Sequence, residues 1–208
     1  MSYPIHTVRP VILTALLVTA AALTASARES APAPIAIQKG QISIAGSSNV
    51  HEWSATTADV RVTHAQLGAA VSGPAFAEEI VRPGALAAFE IAVPAASLKS
   101  GKDGLDKNMY KALKVKEHAD ITFRLTRLDP AADGAFKAAG VLRIAGVARD
   151  VVLDLRTRTS GSTLTVTGSV DLLMTDFGIK PPTAMLGMLK TDPKVTVTFE
   201  TVLAIPLT

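Results

Sequence analysis

Apolar side chains recur at every second position through most of this sequence, and that period limits the fold more than any other feature. Ile35, Ile37, Ile42 and Ile44 set the pattern early. Ile121, Phe123 and Leu125 alternate with Thr122, Arg124 and Thr126, and Val151, Leu153 and Leu155 with Val152, Asp154 and Arg156. Leu164 and Val166, then Val195, Val197 and Phe199, repeat the rule against rows of Thr. Successive side chains of a strand point to opposite faces, so this spacing marks antiparallel strands with one dry and one wet face. The enrichment in Val and Thr agrees with that assignment.

Turn signals divide the alternating stretches into about eight strands, at 35–45, 54–64, 66–73, 86–93, 119–128, 135–145, 148–158 and 163–173. A ninth or closing strand is expected at 194–206. The punctuation includes Gly73-Pro74, Pro83-Gly84, Asp129-Pro130, Gly161 and Asp192-Pro193. Gly146 to Asp150 reads as a tight connection, so residues 135–158 are expected to form a hairpin. One stretch breaks the period. Leu105, Met109 and Leu113 lie four apart and predict a single short amphipathic helix near residues 104–114, with Asp103 as its N-cap.

Many strands, one helix and no internal linker point to a single all-β domain over residues 36–206, closed into an antiparallel barrel of eight strands or slightly more. A sandwich is the alternative that alternation alone leaves open. An outer-membrane barrel needs aromatic girdles, which one Trp, two Tyr and six Phe do not supply.

The start of the chain is of a different kind. Arg9 precedes an apolar run from Val11 to Leu23, and Ala25-Ser26-Ala27 follows. That is the order of a secretory signal peptide, residues 1–27, cleaved after Ala27. The run is too short for a transmembrane anchor, since a spanning helix needs about 20 residues. The expected location is therefore periplasmic or secreted. The chain has no cysteine, which excludes disulfides, thiolate metal sites and a Cys nucleophile. A net charge of +3 with scattered basic residues leaves no footprint for nucleic acid.

Catalytic apparatus is not visible. His51, Glu52, Asp59 and His64 lie close in sequence, but adjacent His51 and Glu52 point to opposite faces of a strand, so no metal site is assigned. Ser48, His51 and Asp59 lack the strand–turn–helix elbow of a hydrolase. Gly101-Lys102 lacks the glycine spacing of a phosphate-binding loop. Glu78-Glu79, and Asp103 with Asp106, read as solvated loop charge, and His118 as a surface residue. No cofactor is expected.

Apolar side chains are instead concentrated where loops do not need them. Residues 174–189 carry Met174, Met185 and Met188 with Phe177, Ile179, Leu186 and Leu189. With Met109 and Leu113 of the helix they form material for an adaptable apolar pocket, because Met moulds to irregular partners. Trp53 is expected to pack at the barrel end with its N–H satisfied by a loop carbonyl.

These stretches, taken in order, carry a resemblance. Ser47-Ser48-Asn49-Val50-His51-Glu52-Trp53, Ser97-Leu98-Lys99-Ser100-Gly101, Met109 to Lys114 and Ile121-Thr122-Phe123 resemble the first half of the YceI-like, polyisoprenoid-binding family. Gly140 to Arg149 and Met174-Thr175-Asp176-Phe177-Gly178-Ile179-Lys180-Pro181-Pro182 continue it. The likeness spans about residues 36–206. It implies a lipocalin-like barrel in the periplasm that holds an isoprenoid-type lipid, a polyprenyl phosphate or a quinone, and performs no chemistry. Asn49 to Trp53 and Pro181 to Gly187 depart from the best-known members, so the lumen is carried over and a head-group site is not.

On this reading the ligand contacts are Met109, Leu113, Phe123, Leu125, Phe177, Met185, Met188 and Phe199. A phosphate head would sit near Lys107, Lys111, Lys114 or Lys180. A homodimer is the one protein partner left open. Two rivals follow: an exported stress-response or interaction barrel with a filled core, and a hydrolase or isomerase using His51 or His64.

Overall fold

The computed structural model describes residues 35–68, 75–184 and 188–205. The strands are β1 (Ala36–Ser48), β2 (Glu52–Thr57), β3 (Arg61–Leu67), β4 (Leu86–Pro94), β5 (Asp120–Pro130), β6 (Ala135–Ile144), β7 (Val147–Ser160), β8 (Thr163–Leu173), β9 (Thr183–Ala184) and β10 (Leu189–Ala204). The helices are α1 (Phe76–Glu79) and α2 (Asp103–Ala112). All strand pairs are antiparallel, in the order β2-β1-β10-β8-β7-β6-β5-β4-β3, with β9 against β10. This is the all-β, antiparallel architecture that the alternation predicts, and the lipocalin-like one that the resemblance implies.

The two ends of the path, β2 and β3, are joined by residues 58–60. Thr56 and Lys99 form an isolated bridge at this seam, N–H to carbonyl at 2.8 and 2.9 Å in the two directions. The chain leaving β4 thus returns to lie on β2. Leu98, within that return, is fully buried.

Strand β7 shows how sequence becomes wall. Val151, Leu153, Leu155 and Thr157 face inward while Val152, Asp154, Arg156 and Arg158 are exposed. In β5 the period is interrupted on purpose. A register shift between Leu125 and Arg127 allows both Leu125 and Leu128, three residues apart, to face the interior.

Several sequence expectations need correction. The stretch 54–64 belongs to two strands, β2 ending at Thr57 and β3 starting at Arg61, with Thr57 and Val60 both buried at the break, an odd spacing that a regular strand does not give. No separate strand starts at 66: Gln66 and Leu67 are the last residues of β3, and residues 69–73 lie outside the described set. The 135–158 hairpin forms, but its turn is Ala145-Gly146, both at positive φ (49° and 84°), and β7 resumes at Val147. The helix is found at 103–112, capped by Lys102 without a side-chain bond rather than by Asp103. A one-turn helix, α1, adds to it. The signal peptide expected at 1–27 lies outside the described residues, among which no helix is long and apolar enough to cross a membrane.

Candidate ligand-binding cavity

The curled sheet surrounds a hollow in two parts. An inner cavity of about 210 Å³ is walled by side chains of β1, β4 to β8 and β10, with Ile80 and Leu98 from the connections. An outer cavity of about 260 Å³ lies beneath α2 and the turn Met174–Phe177. Both are bounded by Ile44, Ile121, Ile144, Leu172 and Val197, so the two meet at a shared waist. The inner wall is aliphatic and aromatic apart from Thr157 and Thr201.

Inward-facing residues of a filled β-protein are sealed from solvent, because protein interiors pack like crystals. Here Ile42, Leu125, Leu142, Leu153, Leu155 and Phe199 face inward yet remain only partly buried. Ile35, Phe76 and Leu98 have at most 1% of their surface exposed. The middle of the molecule is therefore hollow, and its packed residues form two clusters, one around Phe76 and one around Phe177.

Glycines hold the hollow open. A Cβ at Gly46 would come within 2.5 Å of the Trp53 ring, and one at Gly140 within 2.5 Å of Phe123. One at Gly168 would strike Phe199. Gly46 faces Trp53, and Gly168 faces Phe199, across their ladders. Each ring occupies the space that a glycine of the neighbouring strand leaves empty.

The outer end is held by a small polar framework. Asp106, 8% exposed, accepts hydrogen bonds from Ser100 N at 2.8 Å and Ser100 Oγ at 2.5 Å. It is not the solvated loop charge that its sequence suggests. The two Ser100 bonds, side chain first, hold its carboxyl below the ordinary value of 3.8. Tyr110 Oη donates to the Leu98 carbonyl at 2.7 Å, and Lys99 Nζ sits 5.0 Å from the Tyr110 ring centroid. These contacts fasten α2 to the seam. Across the mouth, Asn49 Nδ2 donates to the Met188 carbonyl and Lys190 N donates to Asn49 Oδ1, both at 2.8 Å.

Six of the eight residues assigned from sequence line the hollow: Phe123, Leu125 and Phe199 the inner part, Met109, Leu113 and Phe177 the outer. Met188 is 67% exposed and lines neither. Met185 lies outside the described residues. The sequence reading missed the waist, as well as Leu98, Leu105 and the role of Trp53 in the wall. A glycine opposite an aromatic residue in the neighbouring strand is the signal that finds Trp53 and Phe199.

Trp53 differs from expectation in one further way. Its Nε1 is sealed from solvent and has no hydrogen-bond partner among the described residues. The residues considered for catalysis do not assemble. Ser48 Oγ donates to the His51 carbonyl at 2.8 Å, and Asp59 is held by Arg61 through two 2.8 Å contacts. His51 borders the outer cavity, and His64 is exposed on β3.

A family model described as the YceI-like domain matches residues 38–203. No curated protein matches the chain. Among solved structures it is similar to BcnA of Burkholderia cenocepacia, with a TM-score of 0.62 at 14% identity, over 79% of this chain and 96% of that one. A polyisoprenoid binding domain from Saccharophagus degradans, implicated in plant cell wall breakdown, aligns with a TM-score of 0.60 at 13% identity, over 84% and 99%. A YceI protein of Campylobacter jejuni aligns with a TM-score of 0.53 at 16% identity, over 69% and 80%.

Proposed function

The chain belongs to the YceI-like family, and from that premise we propose that it is an exported, periplasmic binding protein whose hollow carries or stores an isoprenoid-type lipid. The observation that carries the proposal is the incomplete burial of the inward-facing wall, Leu125, Leu153, Leu155 and Phe199 among it, around a cavity with almost no polar lining. The polyisoprenoid-binding neighbour supports the same ligand class.

The physics suits a carrier. Burying apolar surface is worth about 25 cal/mol per Å², so a long hydrocarbon tail needs no catalytic or charged partner to bind. The two cavities share five lining residues, so a long flexible tail of linked isoprene units suits them better than one compact ligand. Phe123, Leu125 and Phe199 would contact its far end, and Met109, Leu113 and Phe177 the part nearest the mouth. No chemistry is asked of the chain in this role.

The test is direct. Protein purified from its exported fraction is extracted with organic solvent and the extract analysed by mass spectrometry; the lipid-free chain is then titrated with a polyprenol. The expected result is an isoprenoid-type lipid near one per chain and saturable rebinding. Recovery of no lipid, with no binding of polyprenol or of a neutral apolar fluorophore, would overturn the proposal.

A further inference from the structure

We infer that the outer end of the barrel is a docking surface for an anionic lipid bilayer, set around the outer cavity. The inference goes beyond the lipid-binding reading and rests on it in one respect: a carrier has to meet the membrane that holds its cargo.

Single exposed hydrophobic side chains are ordinary, but several at one place mark a contact surface. Four large apolar residues are strongly exposed among the described residues, and three of them lie at this end. Val50 tips the turn between β1 and β2, and Met188 precedes β10; both are 67% exposed. Asn49 holds the two segments together through its bond to the Met188 carbonyl. Leu173, the last residue of β8, lines the outer cavity and is 44% exposed. The fourth, Val152, stands alone midway along β7. Val50 and Met188 line neither cavity, so a lipid in the hollow does not cover them. Met185 and Leu186, beside Met188 in the sequence, are apolar too.

Helix α2 flanks the same cavity and supplies charge. Leu105, Met109, Ala112 and Leu113 line the cavity. At 3.6 residues per turn, Lys107 and Lys111 fall on the opposite face of the helix, and both are exposed. Lys102 before the helix, and Lys114 and Lys116 after it, are exposed as well. The acidic residues of this stretch are Asp103, Asp106 and Glu117, and Asp106 is buried against Ser100. Farther along the chain, Lys180 and Lys190 offset Asp176 and Asp192. None of the lysines from Lys102 to Lys116 is in an ion pair among the described residues. The surplus is positive and unspent, which matches the negative surface potential of an anionic leaflet. Lysines against lipid phosphates and an apolar fringe in the headgroup layer are two weak signals, which together give reversible attachment.

The experiment mixes protein purified from its exported fraction with vesicles of phosphatidylglycerol and phosphatidylethanolamine, or of phosphatidylcholine alone, and measures the bound fraction by sedimentation. Binding to the anionic vesicles is expected to be about tenfold tighter or more, and to loosen as salt rises. Lys107→Glu combined with Lys111→Glu should lose about tenfold or more on anionic vesicles and bind the two kinds alike. Val50→Asp should weaken vesicle binding about tenfold while binding polyprenol in solution as the parent does. Equal binding of the parent to both vesicle types, or either variant holding to anionic vesicles as tightly as the parent, would overturn the inference. Titration with polyprenol in the absence of bilayers separates this inference from the reading before it. Polyprenol binding without vesicle binding would end the docking surface alone, and vesicle binding without polyprenol binding would end the carrier reading alone.

Discussion

The two ends of this barrel are covered in different ways. At one end α1 lowers Phe76 and Ile80 onto Ile35, Leu164 and Leu203, and these residues are sealed from solvent. At the other, α2 and the turn at Met174–Phe177 cover the opening with Leu105, Met109, Leu113 and Met174, all only partly buried. Phe177 and Ile179 are the exceptions, buried at 2% and 7% exposure. The sealed end supplies stability and the half-covered end supplies access. A hollow β-protein cannot fold around its lumen alone, because empty space contributes no contacts.

If that division is right, substitutions at the two ends must differ in kind. Phe76→Ala at the sealed end should lower unfolding free energy by about 3–5 kcal/mol, whereas Leu113→Ala at the half-covered end should cost about 1 kcal/mol. Urea denaturation of the two variants measures both, and equal costs would break the comparison. Overpacking sharpens it. Ala77→Leu, beside Phe76, should destabilise by about 1–3 kcal/mol with lipid binding retained. Leu125→Trp, directed into the lumen, should leave stability within about 1 kcal/mol and weaken lipid binding by about tenfold or more.

The smallest expected effect concerns the fastening of α2. Asp106 has its folded pKa depressed by the Ser100 bonds, so the stability it supplies is present above 3.8 and is lost as pH falls through the lower folded value. Asp106→Asn should flatten that acid limb in a denaturation series run as a function of pH. It should also loosen α2 selectively, seen as faster amide exchange over residues 103–112 with Phe76 and its neighbours unaffected.

Much of the wall was legible because alternation is a local property. Val151, Leu153 and Leu155 declare their facing within one strand, and the observed exposures follow it. Helix α2 was legible for the same reason at a different period. Asp106 was misread because its partner, Ser100, lies in the loop before the helix, and composition gives a carboxylate no reason to be buried. The break between β2 and β3 was missed because the buried residues on both sides are Thr57 and Val60, and a buried Thr looks like an exposed one in a pattern.

Trp53 illustrates the same boundary. Its sequence context shows an aromatic residue at the start of a strand. Only the ladder sets it against Gly46, and only the surrounding elements leave its N–H without an acceptor among the described residues.

The sequence by itself determined that the chain is all-β, which side chains turn inward, and where the one amphipathic helix falls, because each is decided by residues a few positions apart. Tertiary structure decided that the interior is hollow. Whether inward side chains meet or leave space depends on the curvature of the whole sheet and on glycines paired with aromatics from other strands, and no local period records either.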